Sequence, residues 1–155
     1  MRFVIVTGIS GAGRGTSLRI LEDAGYFCVD NLPISLIGKF AELIYSSTSE
    51  ISKVALGLDI RSGRTLDELE STLGKLSRDG YKYEILFLEA SDDVLVKRYK
   101  ETRRNHPLAQ DGRIIEGIAE ERKKLSFLKK QADYIIDTSS LLTRELKQEL
   151  DKIFV

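Results

Sequence analysis

Short runs of β-branched and aromatic residues alternate along this chain with longer stretches whose apolar positions recur every three or four residues. The first run, Arg2 to Thr7, predicts a strand, and Arg14 to Ala24 predicts a helix with Leu18 and Leu21 on its apolar face and Gly25 as its stop. Phe27 to Asp30 reads as a second strand. Pro33 opens a helix reaching about Tyr45, with Leu36, Ile37, Phe40, Leu43 and Ile44 expected on its buried side. After a polar loop, Ser46 to Ser52, comes a third strand over Val54 to Asp59 and a helix near Thr65 to Ser77 built on Leu66, Leu69, Leu73 and Leu76, closed by Gly80. Glu84 to Glu89 is apolar through its middle, as a parallel strand covered on both faces is. Helices near Asp92 to Arg103 and Ile114 to Lys130, a fifth strand at Tyr134 to Asp137, and a closing helix marked by Leu142, Leu146, Leu150 and Ile153 complete the pattern.

Parallel neighbours need long crossover connections, so this alternation predicts an α/β fold with a five-stranded parallel sheet between two layers of helices. Ligands in such sheets bind beyond the carboxyl ends of the strands, which directs attention to Gly8 onward, Asp30, Asp59 and Glu89.

Directly after the first strand stand Gly8, Ile9, Ser10, Gly11, Ala12, Gly13, Arg14, Gly15 and Thr16. The glycines allow a sharp turn that brings backbone amides close to an anion, and the helix start adds its partial positive charge, which is chemistry for phosphate. The spacing of Gly8 and Gly13 meets the phosphate-loop pattern GxxxxGK followed by Ser or Thr, but Arg14 replaces the lysine and Gly15 the metal-ligating hydroxyl. Thr16 comes one position late, about 100° round the helix. A dinucleotide loop, GxGxxG, is excluded because position 10 is serine, and GxSxG is excluded because position 12 is alanine. The fold expected is therefore P-loop NTPase-like, a three-layer α/β/α sandwich.

Composition narrows the partners. The 24 basic and 24 acidic residues cancel, so nucleic acid or anionic lipid would have to be bound by a local patch. Such a patch exists in Lys97, Arg98, Lys100, Arg103 and Arg104, near a helix end whose dipole these cations also complement. The lone cysteine, Cys28, lies in an apolar run and suits a buried, inert thiol in a reducing compartment, and no apolar segment is long enough for a signal peptide or membrane span, so the chain is expected to be cytoplasmic. His106, the sole histidine, has no companion for a metal site.

The loop Gly8 to Gly15, followed by Leu21-Glu-Asp-Ala-Gly-Tyr-Phe-Cys-Val-Asp-Asn-Leu-Pro33, resembles the bacterial RapZ/YvcJ family of P-loop nucleotide-binding proteins. Leu58 to Arg61, Ile85 to Ala90, the run Thr102, Arg103, Arg104, His106, Pro107, Leu108, and Ala132 to Ser139 resemble further elements of that family. The resemblance implies ATP and GTP binding and hydrolysis, and Asp59, Ile60, Arg61 and Ser62 as a segment implicated in GTP binding. Family members are about twice this length, so it also implies a nucleotide-binding domain over 1–155 whose C-terminal partner domain, which carries most of the RNA-adaptor and regulatory contacts, lies outside this sequence. Self-association stays open. Family members carry Lys and Ser or Thr where this chain has Arg14 and Gly15.

These readings combine into an expected mechanism. Amides from Ile9 to Gly15 and the Arg14 side chain hold the phosphates of ATP or GTP, Asp59 organises Mg2+ and the attacking water, and Arg103 or Arg104 closes over the site as a lid arginine does. Glu89 is a rival for the carboxylate duty, while Asp30 and Asn31 face the same rim or simply turn the chain. Hydrolysis is expected to be slow or absent. A small-molecule or nucleotide kinase, and a non-enzymatic module contacting RNA through Lys97 to Arg104, are the alternatives.

Overall fold

A computed structural model of the chain describes residues 1–46, 48, 50–58, 60, 63–102 and 114–155. The first apolar run becomes the central strand β1, Arg2–Gly8, because Val4, Ile5 and Val6 are wholly excluded from solvent and need cover on both faces. It pairs in parallel with β3, Lys53–Gly57, on one side and β4, Glu84–Glu89, on the other. Outside these lie β2, Phe27–Asp30, against β3, and β5, Tyr134–Asp137, against β4, giving the order β2-β3-β1-β4-β5.

Helix α1, Arg14–Asp23, packs against the last helix, α6, Thr143–Phe154. The other layer holds α2, Ile37–Ile44, α3, Gly63–Arg78, α4, Asp92–Thr102, and α5, Ile114–Gln131, with α3 touching both α2 and α5, and α4 touching α5. The expected three-layer α/β/α sandwich is the observed one. The strand order reverses around β1, the kind of switch point outside which such sheets bind ligands, and the glycine loop begins at the carboxyl end of that strand.

Two expectations are corrected. The segment after Pro33 first makes a 3-10 turn, Ile34–Leu36, so α2 starts late and buries Ile37, Ala41 and Ile44. Leu36 and Leu43 each stand one residue before that stripe, about 100° away, and are exposed at 49% and 59%. Leu142 likewise lies outside α6 in an extended conformation, its N–H donating to Glu145 Oε1 at 2.9 Å, and the helix buries Leu146 and Leu150 as expected, with Phe154 rather than Ile153 completing the stripe.

Within α1, Ser17 is fully buried and its hydroxyl has no hydrogen-bond partner among the described residues. A buried hydroxyl without a partner carries an uncompensated desolvation penalty, so Ser17→Ala is expected to stabilise the domain by about 1 kcal/mol. That would show as a thermal midpoint roughly 3 °C higher, and a lowered midpoint would mean the hydroxyl is bonded after all.

Candidate functional site

The loop between β1 and α1 is held residue by residue from four directions. The Ile9 amide donates to Leu88 O of β4 at 3.1 Å. Ser10 gives both its amide and its hydroxyl to the carboxylate of Glu121 on α5, at 2.8 and 2.6 Å. Gly11 O accepts from Arg98 Nη1 of α4 at 2.9 Å, and Ala12 O accepts from Thr138 Oγ1, just past β5, at 2.7 Å. Arg98 also reaches Thr138 O at 2.7 Å, so α4 and the β5–α6 turn brace each other as well as the loop. Four consecutive loop residues are thus fixed by β4, α5, α4 and the β5–α6 turn.

Glycine is required at two points. At Gly8 a Cβ would come within 2.7 and 2.9 Å of Leu88 N and C, and closer still to the Leu88 carbonyl oxygen, with φ at +150°. Gly13 caps α1 in the left-handed region, φ 109°, and its carbonyl accepts from Ser17 N at 2.9 Å. The first turn of a helix has no intrahelical acceptors for its amides, so the chain from Gly13 onward presents N–H groups and the positive end of the dipole beyond the carboxyl end of β1.

Arg14, expected to grip phosphate, has its guanidinium on the opposite rim: Nη1 donates to Leu58 O at 2.9 Å and Nε lies 3.3 Å from Asp30 Oδ1. This ties the start of α1 to the ends of β3 and β2. Gly57 makes room for it, since a Cβ there would come 2.6 Å from Leu18 Cδ1 and closer to Asp30 Oδ1. Gly15 is open, with only Arg19 Nη1 near a Cβ, at 4.0 Å. The Thr16 hydroxyl accepts from Arg19 Nη2 at 3.3 Å, on the exposed surface of the helix.

Glu89 is committed elsewhere: Arg122 Nη1 and Lys129 Nζ both pair with its carboxylate, the latter at 3.1 Å, and Ala90 N donates to it at 2.9 Å. Arg122 further binds Asp92 Oδ1 and Ala90 O, fastening α5 to α4 and β4. In the basic segment Lys97 and Lys100 are exposed while Arg98 is turned inward onto the loop. Asn31 stands in the left-handed region, φ 62°, with its N–H on Gly57 O at 2.9 Å, which is the turn geometry read from the sequence. The Cys28 thiol is half-buried, and desolvation, with the charge of Glu22 adding, pushes it up to about 11, so it is protonated at neutral pH. Ile60 is buried, and Asp59, Arg61, Ser62, Arg103, Arg104 and His106 lie outside the described residues.

Glu121, Thr138 and Arg98 were not singled out as loop partners by sequence. One signal was present for Glu121: it falls on the stripe Ile118, Glu121, Leu125, Leu128 that α5 buries, an ionisable group on an apolar face. No helix of the described residues is long and apolar enough to cross a membrane.

A parallel sheet in this order, with a glycine loop between its central strand and the following helix, defines a P-loop domain of kinase-like architecture. A solved shikimate kinase from Bacteroides thetaiotaomicron has the same fold, with a TM-score of 0.61 over 98% of this chain and 97% of that chain, at 18% identity. The chain belongs to the RapZ-like family, whose N-terminal domain model matches residues 1–155. Curated relatives called nucleotide-binding proteins are 64% identical in Lachnoclostridium phytofermentans and 61% identical in Agathobacter rectalis, each over 100% of this chain. The chain spans about half of their length, 54% and 53%.

Proposed function

We propose that this chain binds ATP or GTP at the phosphate loop and hydrolyses it slowly or not at all, in a regulatory role. The observation that carries the reading is the braced loop: Ile9 to Ala12 are fixed from outside, leaving the helix start at Gly13 to Gly15 to face an anion. The names of the family relatives support it. The amides of Ile9, Ser10 and Ala12 already have acceptors in Leu88 O, Glu121 and Ile9 O, so phosphate holding falls mainly to the amides beyond Ala12, with Arg14 adding charge from the rim. Asp59 and Ile60 to Ser62 would lie beside it in sequence after β3, and Arg103 or Arg104 would supply the cation that meets the transferring phosphate.

The described part of the loop does not fit a directly ligated Mg2+. Gly15 offers no oxygen, the Thr16 hydroxyl lies one position further along the helix and accepts from Arg19, and the Asp30 carboxylate is paired with Arg14. Asp59, assigned to metal by sequence, is left as the carboxylate to test. Calorimetric titration of ATP and GTP with Mg2+ and with a chelator checks both points. Binding should change by less than about tenfold, roughly 1.4 kcal/mol, on metal removal. No binding of either nucleotide under any condition would end the reading.

A further inference from the structure

The loop's braces are unequal. Three of them engage backbone groups alone, whereas Glu121 takes two donors from one residue, and its carboxylate is almost fully buried, at 2% exposure. A buried carboxylate is retained where its donors satisfy it. Its two oxygens engage the Ser10 amide and hydroxyl together, which fixes the orientation of the peptide leading into Gly11 to Gly13. The next residue, Arg122, ties the same turn of α5 to Glu89, Asp92 and Ala90 O, so the carboxylate is itself held in place at the far end.

We propose that Glu121 is the positioning residue of the phosphate loop: through Ser10 it holds the loop in its anion-accepting shape, so the docking of α5 sets the affinity for the nucleoside triphosphate. This rests on the nucleotide-binding reading above. The arrangement carries a cost of its own, because a carboxylate behind the loop repels an incoming phosphate. Ser10 offsets this by directing both donors at it. Geometry, not charge, is then what Glu121 contributes, and glutamine can supply the same geometry: its carbonyl accepts from the Ser10 amide and its NH2 donates to the Ser10 hydroxyl oxygen.

The test uses the 155-residue chain with Glu121→Ala, Glu121→Gln and Ser10→Ala. Amide hydrogen exchange of the segment 8–16 is read without nucleotide, and ATP and GTP affinity is read by calorimetry. Glu121→Ala should speed exchange across the segment and weaken binding about tenfold or more, while Glu121→Gln should match the parent in exchange and bind within about threefold of it, or tighter. The proposal is overturned by parental exchange and affinity in Glu121→Ala, or by Glu121→Gln as weak as Glu121→Ala. Should Glu121→Ala not fold, Ser10→Ala decides: a loss of about threefold or more supports the proposal, and unchanged affinity overturns it. The exchange measurement needs no ligand, so a parent chain that binds neither nucleotide fails the functional reading and leaves the loop-positioning claim to be judged by exchange.

Discussion

Gly8→Ala is expected to destabilise the domain by about 3 kcal/mol or more and to abolish nucleotide binding. The new Cβ would fall among backbone atoms of Leu88, the residue paired with Gly8 in the β1–β4 ladder. Neither strand can retreat. β1 is central, hydrogen-bonded on its other side to β3, and the Ile9 amide bond to Leu88 O lies one residue further on. The backbone there also has φ at +150°, where a side chain adds strain of its own. For a domain of this size the loss corresponds to a thermal midpoint about 10 °C lower. Gly15→Ala is the matched control: it sits in α1 with nothing nearer than 4.0 Å, so alanine should be neutral or add about 0.5–1 kcal/mol through helix propensity. Circular dichroism melts of the two variants beside the parent separate the cases, and a Gly8→Ala midpoint within 2 °C of the parent, a shift smaller than about 1 kcal/mol, would refute the argument.

Most of the fold could be read because its signals are local. Apolar runs such as Phe3 to Val6 and Ile85 to Leu88 announce buried strands without reference to anything distant, and the leucine spacing of Leu69, Leu73 and Leu76 announces α3. The errors in α2 and α6 have one cause. A helix pattern depends on where the first turn starts, so a 3-10 turn after Pro33 leaves Leu36 and Leu43 off the buried stripe, and an extended Leu142 falls outside α6 altogether, without changing which residues are apolar.

The site was legible only in the part that is contiguous. The loop's glycines could be assigned because turning sharply and approaching an anion are properties of the segment itself. Its braces come from residues 79 to 126 positions away, and each belongs to a different element: Leu88, Arg98, Glu121 and Thr138. Arg98 reads as part of a basic patch and Thr138 as an ordinary turn residue until the sheet order brings β4 beside β1 and β5 beside β4. Glu89 shows the converse. Its place at a strand end made it a candidate for metal or water, and only the fold reveals that Arg122 and Lys129 engage it.

Restoring the common loop residues, Arg14→Lys with Gly15→Ser, is expected to raise ATP or GTP turnover about a hundredfold, equivalent to roughly 2.7 kcal/mol of transition-state stabilisation. Two separate gains combine. A lysine at position 14 brings a compact ammonium in place of a guanidinium that the structure engages with Leu58 O and Asp30. Losing that tie should lower stability by only about 1 kcal/mol, since the pair is partly exposed and solvent-screened. A serine at position 15 adds the hydroxyl that magnesium takes from such loops, and the open space around Gly15 accepts it without any neighbour moving. Each change alone should give much less than half of the logarithmic gain, because a cation on the phosphates and a ligand on the metal act on the same developing charge. Turnover is measured for the parent, both single variants and the double at saturating nucleotide with magnesium, after affinity has been fixed by calorimetry. A double variant that binds nucleotide and turns over no faster than the parent would show that Arg14 and Gly15 are not what limits hydrolysis in this domain.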